Sequence, residues 1–201
     1  TTLYPNSSQP SHGIFVETRL RRLLKLGEVT AKVVAPVPWF PSTNKIFGMY
    51  SDYAKALPKE LRHNIEVVHP RYISIPVIGM VVAPLLLAAA ALPVLRRIIK
   101  EGYDFDVIDA HYFYPDGVAA VMLSIILHKP VVITARGTDI NLIPKHAIPR
   151  YMIQWAAQRA NGLITVCQAL KDALIELGQS TERIKVLRNG VDLELFRPPV
   201  D

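Results

Sequence analysis

Short runs of β-branched residues alternate with segments of helical period along most of this chain, and that alternation admits few folds. The apolar runs are 29–35, 65–68, 106–111, 131–133, 163–166 and 184–187. Helical spacing is found at 13–26, 84–100, 115–128, 149–160 and 168–177. Successive parallel strands need a crossover of this length, usually a helix. The pattern predicts an α/β fold, a doubly wound parallel sheet, Rossmann-like and in a single domain. Residues 1–4 read as the end of a strand that begins before the numbering. Residues 1–190 form the expected domain, and 191–201, with Pro198-Pro199 after the Asn189-Gly190 turn, open a linker.

The segment 131–141, V-V-I-T-A-R-G-T-D-I-N, concentrates the chemistry. Val131, Val132 and Ile133 suit a strand buried on both faces. Polar groups begin where it ends, and ligands of open α/β sheets bind outside the carboxyl ends of strands. Arg136, Thr138 and Asp139 crowd around Gly137, so they are candidates for a site; a pairing of Arg136 with Asp139 that only pins a turn is the other reading. The strand at 106–111 also ends on a polar group, His111, a base by residue type or a satisfied structural histidine. At the amino end of the 13–26 helix, free N–H groups can hold a phosphate, and Gly13 would let it approach closely. The sequence contains neither G-x-G-x-x-G nor a Walker loop.

Composition narrows the partners. The net charge of +6 suits anionic ligands of several kinds. The clusters Arg19-Arg21-Arg22-Lys25 and Arg96-Arg97-Lys100 lack interleaved aromatics and no nucleic-acid-binding signature accompanies them, so nucleic acid is not expected. A single cysteine, Cys167, makes no internal disulfide and favours a reducing, cytoplasmic setting. Residues 1–11 have no apolar run of the signal-peptide kind. Residues 74–95 carry no charge, but Pro76, Gly79, Pro84 and Pro93 divide them, which predicts a loop and a packed helix from 84. An anionic membrane surface meeting this segment and Arg96, Arg97 and Lys100 is a second reading. The aromatic, proline-rich stretch 36–64 reads as a functional loop or as a flap over a sheet edge. The histidines do not stand at metal-ligand spacing, and no metal is expected.

Five motifs in order, G-I-F-V at Gly13, D-A-H-Y at Asp109, T-A-R-G-T-D at Thr134, T-V-C-Q-A-L-K at Thr165 and L-R-N-G-V-D at Leu187, resemble the amino-terminal half of retaining glycosyltransferases of family 4, GT-B class. The resemblance covers nearly the whole chain. It implies sugar transfer of the hexosyltransferase type, from a nucleotide-sugar to a glycan or lipid-linked acceptor. It further implies polysaccharide biosynthesis at the inner face of the membrane, with the nucleotide-sugar as co-substrate and no cofactor. Most donor contacts, with the paired glutamates, belong to a second, carboxy-terminal domain outside this sequence, so the chain alone is expected to be inactive. By resemblance Gly13 and Gly137 bind the donor, Tyr112, Asp116 and Thr138 the acceptor, and His111, Arg136 and Asp139 form the catalytic group. Relatives commonly carry histidine where Arg136 stands, and arginine offers donors but no base. The alternatives are a non-catalytic sugar- or nucleotide-binding module and a membrane-surface interaction domain.

Overall fold

The computed structural model describes residues 1–74 and 79–190; the expected linker at 191–201 lies outside the described residues. Parallel strands β6 (Ile108–His111), β7 (Val131–Ala135), β8 (Gly162–Thr165) and β9 (Ile184–Val186) lie side by side in that order. Helices α4 (Val118–Leu127), α6 (Ala147–Arg159) and α7 (Gln168–Glu176) connect them, with a one-turn α5 (Thr138–Asn141) just beyond β7. On β7, Val131, Ile133 and Ala135 point into a core completed by Ile153, Leu163, Leu174 and Ile184. Each aliphatic side chain buried there contributes about 1.5–3 kcal/mol.

The other half begins with α1 (Ile14–Leu24), which packs Val16 against β1 (Val33–Val34) and β4 (Ile65–Val68). β1 runs parallel to β4. The expected strand at 29–35 is thus much shorter than its apolar run. β4 also carries an antiparallel partner, β3 (Lys59–Arg62), across a two-residue turn in which His63 and Asn64 both have positive φ. The 36–64 stretch is therefore structured: it holds β2 (Val37–Pro38), paired with β5 (Arg71–Tyr72), and α2 (Met49–Lys55). No strand is assigned at 1–4. Thr1 nevertheless donates its amino group to the Val34 carbonyl and its hydroxyl to that of His111, and so lies between β1 and β6. A cavity of about 720 Å³ opens there, bordered by Val33, Val34, Ile108 and Ala110.

The charge-free segment departs most from its expectation. Helix α3 (Gly79–Lys100) starts five residues before 84 and runs through both Pro84 and Pro93. A proline inside a helix leaves the carbonyl four residues earlier without its donor. For Pro84 that carbonyl belongs to Met80, and the Tyr114 hydroxyl donates to it instead. For Pro93 it belongs to Ala89, which lies on the exposed side of the helix. The inner face of α3 packs Leu87, Ala88 and Ala91 on Ala119 and Leu123 of α4.

Candidate active site

Register carries the polar residues to one rim. His111 ends β6 directly opposite Thr134 of β7, so Arg136, two residues beyond, emerges beside it. Arg136 Nη2 lies 2.6 Å from His111 Nδ1, and Nη1 donates to Asn189 Oδ1 at 3.1 Å. The guanidinium sits 5.1 Å from the ring centre of Phe15, in the first turn of α1. Arg136, His111 and the amino end of α1 are therefore gathered, as the sequence suggests.

The protons on His111 follow from its neighbours. A guanidinium only donates, so Nδ1 accepts, which leaves the proton on Nε2, 3.3 Å from Asp109 Oδ2. Burial, aided by the charges of Arg136 and Arg19, holds the imidazole below its ordinary pKa against the pull of Asp109. His111 is thus neutral with both nitrogens engaged. In this arrangement it positions Arg136 and has no free lone pair for a base. Arg136 is itself pulled down to about 10, by burial first and then by Arg19, and stays charged at neutral pH. Among the described residues, Arg136 Nε and Arg19 Nη1 are buried without a hydrogen-bond partner.

Four expected site residues are corrected in part. Asp139 is fully buried, and its carboxylate accepts from the backbone N–H groups of Phe113 (2.6 Å), Arg136 (3.0 Å) and Gly137 (2.7 Å). It pins the turn through the main chain and faces away from solvent, which leaves the Arg136 side chain free for the cleft. Asp116 is also buried and accepts from the backbone and, at 2.8 Å, the hydroxyl of Thr2, so it anchors residues 1–2 and is shut off from an acceptor. The Gly137 N–H, spent on Asp139, is not available to a donor phosphate; its φ of 147° is what requires glycine. Gly13 has φ 66°, and a Cβ there would come within 2.4 Å of the Leu3 backbone carbon. Glycine is needed at 13 for this internal contact, whatever approaches from outside.

Tyr112 and Thr138 remain on the rim. Tyr112, at φ 81°, is half-buried beside a smaller depression that Ile73, Met80 and Ile143 also line, and Thr138 is exposed. Asp109, Phe15 and Asn189 join the site although the motifs of the resemblance in which they stand did not mark them for it. Arg19 had no signal beyond its charge.

The neutral His111 has a pH signature. An unfolded histidine titrates near 6.5, and one whose folded pKa is lower costs stability as pH falls from above that value toward the folded one. We expect the denaturant midpoint to fall between pH 7.5 and pH 5.5, and less steeply in His111→Gln. Buried His69 is depressed similarly, while Asp116 and Asp139, raised mainly by burial, act in the opposite sense. The difference between wild type and variant isolates His111; equal slopes would mean that it is not held neutral.

Comparison with known proteins places the chain in a family. Residues 71–195 match the profile described as Glycosyltransferase Family 4. A Bacillus subtilis (strain 168) protein, TuaC, assigned by its name to teichuronic acid biosynthesis as a glycosyltransferase, is 29% identical over 200 residues, 98% of this chain and 50% of its own length. MJ1178 of Methanocaldococcus jannaschii, an uncharacterized glycosyltransferase by name, is 29% identical over 98 residues, 49% of this chain and 27% of its own. The chain spans half the length of the first of these relatives. Among solved structures, Anabaena Alr3699/HepE with UDP-glucose superposes with a TM-score of 0.55 at 19% identity, over 98% of this chain and 44% of that one. The UDP-GlcNAc 2-epimerase of M. jannaschii gives 0.54 at 11% identity, over 88% and 42%. Such distant likeness speaks for the fold alone, a Rossmann-like unit of the GT-B type. With most of its length matched to the family profile, the chain belongs to glycosyltransferase family 4.

Proposed function

We propose that this chain is the acceptor-side half of a retaining glycosyltransferase. It takes a hexose from a nucleotide-sugar and transfers it to a glycan or lipid-linked acceptor in polysaccharide biosynthesis, at the cytoplasmic face of the membrane. A second α/β domain supplies most donor contacts, and the chain alone is inactive. One observation carries the reading: a half-buried, charged arginine, held by His111, Asn189 and Phe15 at the carboxyl ends of β6 and β7, with an N–H still unspent. Donors fixed in advance where negative charge develops lower a barrier without reorganising at the moment of reaction. Arg136 would serve the leaving diphosphate or the transferred sugar in this way, without a metal. Tyr112 and Thr138 would face the acceptor. The UDP-glucose in the HepE structure makes a UDP-sugar the first donor to test.

The test is an assay of the intact enzyme with UDP-sugars, following UDP release and the anomeric configuration of the product by proton NMR. Acceptor-dependent UDP release with retained configuration is expected. An inverted product, or no transfer from any nucleotide-sugar by folded enzyme, would overturn the proposal.

A further inference from the structure

His111 is fastened at both nitrogens of its ring. Asp109 stands two residues back on β6, so the two side chains leave the same face of the strand, and Oδ2 of Asp109 is 3.3 Å from Nε2. On the other side Arg136 Nη2 donates to Nδ1 at 2.6 Å, while Nη1 is held by Asn189 and the guanidinium lies over Phe15. A line of contacts thus runs from a carboxylate through an imidazole to a guanidinium, crossing from β6 to the turn after β7. Its polarity has one solution. A carboxylate only accepts and a guanidinium only donates, so the ring between them carries its proton on Nε2 and its lone pair on Nδ1. Arg19 of α1 turns a second positive charge toward the ring. Asp116 and Asp139, the carboxylates of the neighbouring segments, are taken up by Thr2 and by the main chain.

We infer that Asp109 is a positioning residue that acts on Arg136 through His111, and that the imidazole is a latch which opens when it gains a proton. The consequence for catalysis rests on the transfer reading; the latch itself does not. A proton added to the ring has one place to go, Nδ1, because Nε2 already carries one. That turns the acceptor of the Arg136 bond into a donor and sets an imidazolium against a guanidinium at 2.6 Å, with Arg19 on a third side. Two charged donors do not share that distance, so the guanidinium swings off the ring, and of its two bonds only the exposed one to Asn189 remains. Donors that must be re-aimed during the reaction lower a barrier less than donors fixed beforehand. Asp109 works on the latch in two ways. By accepting from Nε2 it fixes the plane of the ring, and with it the direction of Nδ1. Burial and the two arginines keep the ring below its ordinary pKa, and the charge of Asp109 pulls the other way. The acid limb of the rate profile then belongs to a group that never exchanges a proton with substrate.

Two measurements on the intact enzyme test the inference: kcat and KM with a UDP-sugar from about pH 5 to 8, and the ring nitrogen signals of His111 in a long-range proton–nitrogen NMR spectrum. In wild type kcat should fall as His111 gains its proton, below about pH 6.5, with KM little changed, and the neutral ring should show the Nε2–H tautomer. Glutamine can accept from Arg136 but does not titrate, so His111→Gln should keep turnover within about tenfold of wild type at neutral pH and lose the acid limb. Asp109→Leu cannot accept from Nε2 and should lose about 10–100-fold in kcat. Asp109→Asn, whose amide oxygen still accepts, should lose less and should move the acid limb to lower pH, because the charge that favours the protonated ring is gone. An acid limb unchanged in His111→Gln, no turnover from that variant when folded, wild-type turnover in Asp109→Leu, or an Nδ1–H tautomer in wild type would each overturn the inference. If wild type transfers no sugar while the spectrum shows the Nε2–H tautomer and the Arg136 signals shift as the ring is protonated, the latch stands and the transfer reading alone falls.

Discussion

Replacing Arg136 by alanine in the intact enzyme should lower turnover by roughly 10²–10³-fold, the usual cost of deleting one fixed donor that faces developing charge. The guanidinium ties three elements: it bonds His111 at the end of β6, bonds Asn189 after β9, and lies over Phe15 of α1. Alanine removes the charge and leaves His111 Nδ1 without its donor. Lysine restores charge but cannot reach both partners with a planar fork, so Arg136→Lys should recover only part of the loss, to within about tenfold of wild type. Because the arginine sits at the rim, outside the main core, the variants should unfold close to the wild-type midpoint. Separate kcat and KM values decide its role: a change in KM alone would make Arg136 a ground-state binding residue, and turnover equal to wild type would end its part in the chemistry.

Asp139→Ala should be the most damaging substitution for stability, at about 3–6 kcal/mol. An N–H that loses its acceptor costs about 1–3 kcal/mol when buried and less where water can reach it, and this carboxylate serves three, the buried one of Phe113 and the partly buried ones of Arg136 and Gly137. Domains of this kind are stable by only about 5–15 kcal/mol, so the variant should unfold at a far lower denaturant concentration. Asp139→Asn keeps one acceptor oxygen and turns an amide donor toward the remaining N–H groups, so it should fall between alanine and wild type. Urea unfolding at pH 7 measures both. A loss under about 1 kcal/mol for alanine would mean that these N–H groups have other partners. Activity should fall with stability, since the same carboxylate sets the turn that delivers Arg136.

Some of this was legible before any coordinates. The apolar run at 65–68 coincides with β4 to the residue, and the runs at 106–111, 131–133, 163–166 and 184–187 match β6, β7, β8 and β9 to within a few, because alternating or continuous apolar runs are local records of burial. The polar residues after Ile133 mark a rim for a related reason: in a parallel sheet the carboxyl end of each strand opens on one edge. Direction was not legible. Asp139 and Asp116 are carboxylates of the type that does chemistry, yet both turn inward to backbone donors, and a residue's type does not say which way its backbone aims it. Nor does a proline say whether a helix ends there. Pro84 is tolerated because Tyr114, thirty residues on, supplies the missing donor to Met80. The sequence by itself determined the strands β4 and β6 to β9, the helices α1, α4, α6 and α7, and the polar ends of β6 and β7, since these follow from patterns a few residues long; the short strands and helix of 36–64 left no such pattern. Only the tertiary structure decided that Arg136 finds His111, Phe15 and Asn189 while Asp139 is taken up by the main chain, since hydrogen-bond partners are chosen by residues far apart in the chain and near only once the sheet has formed.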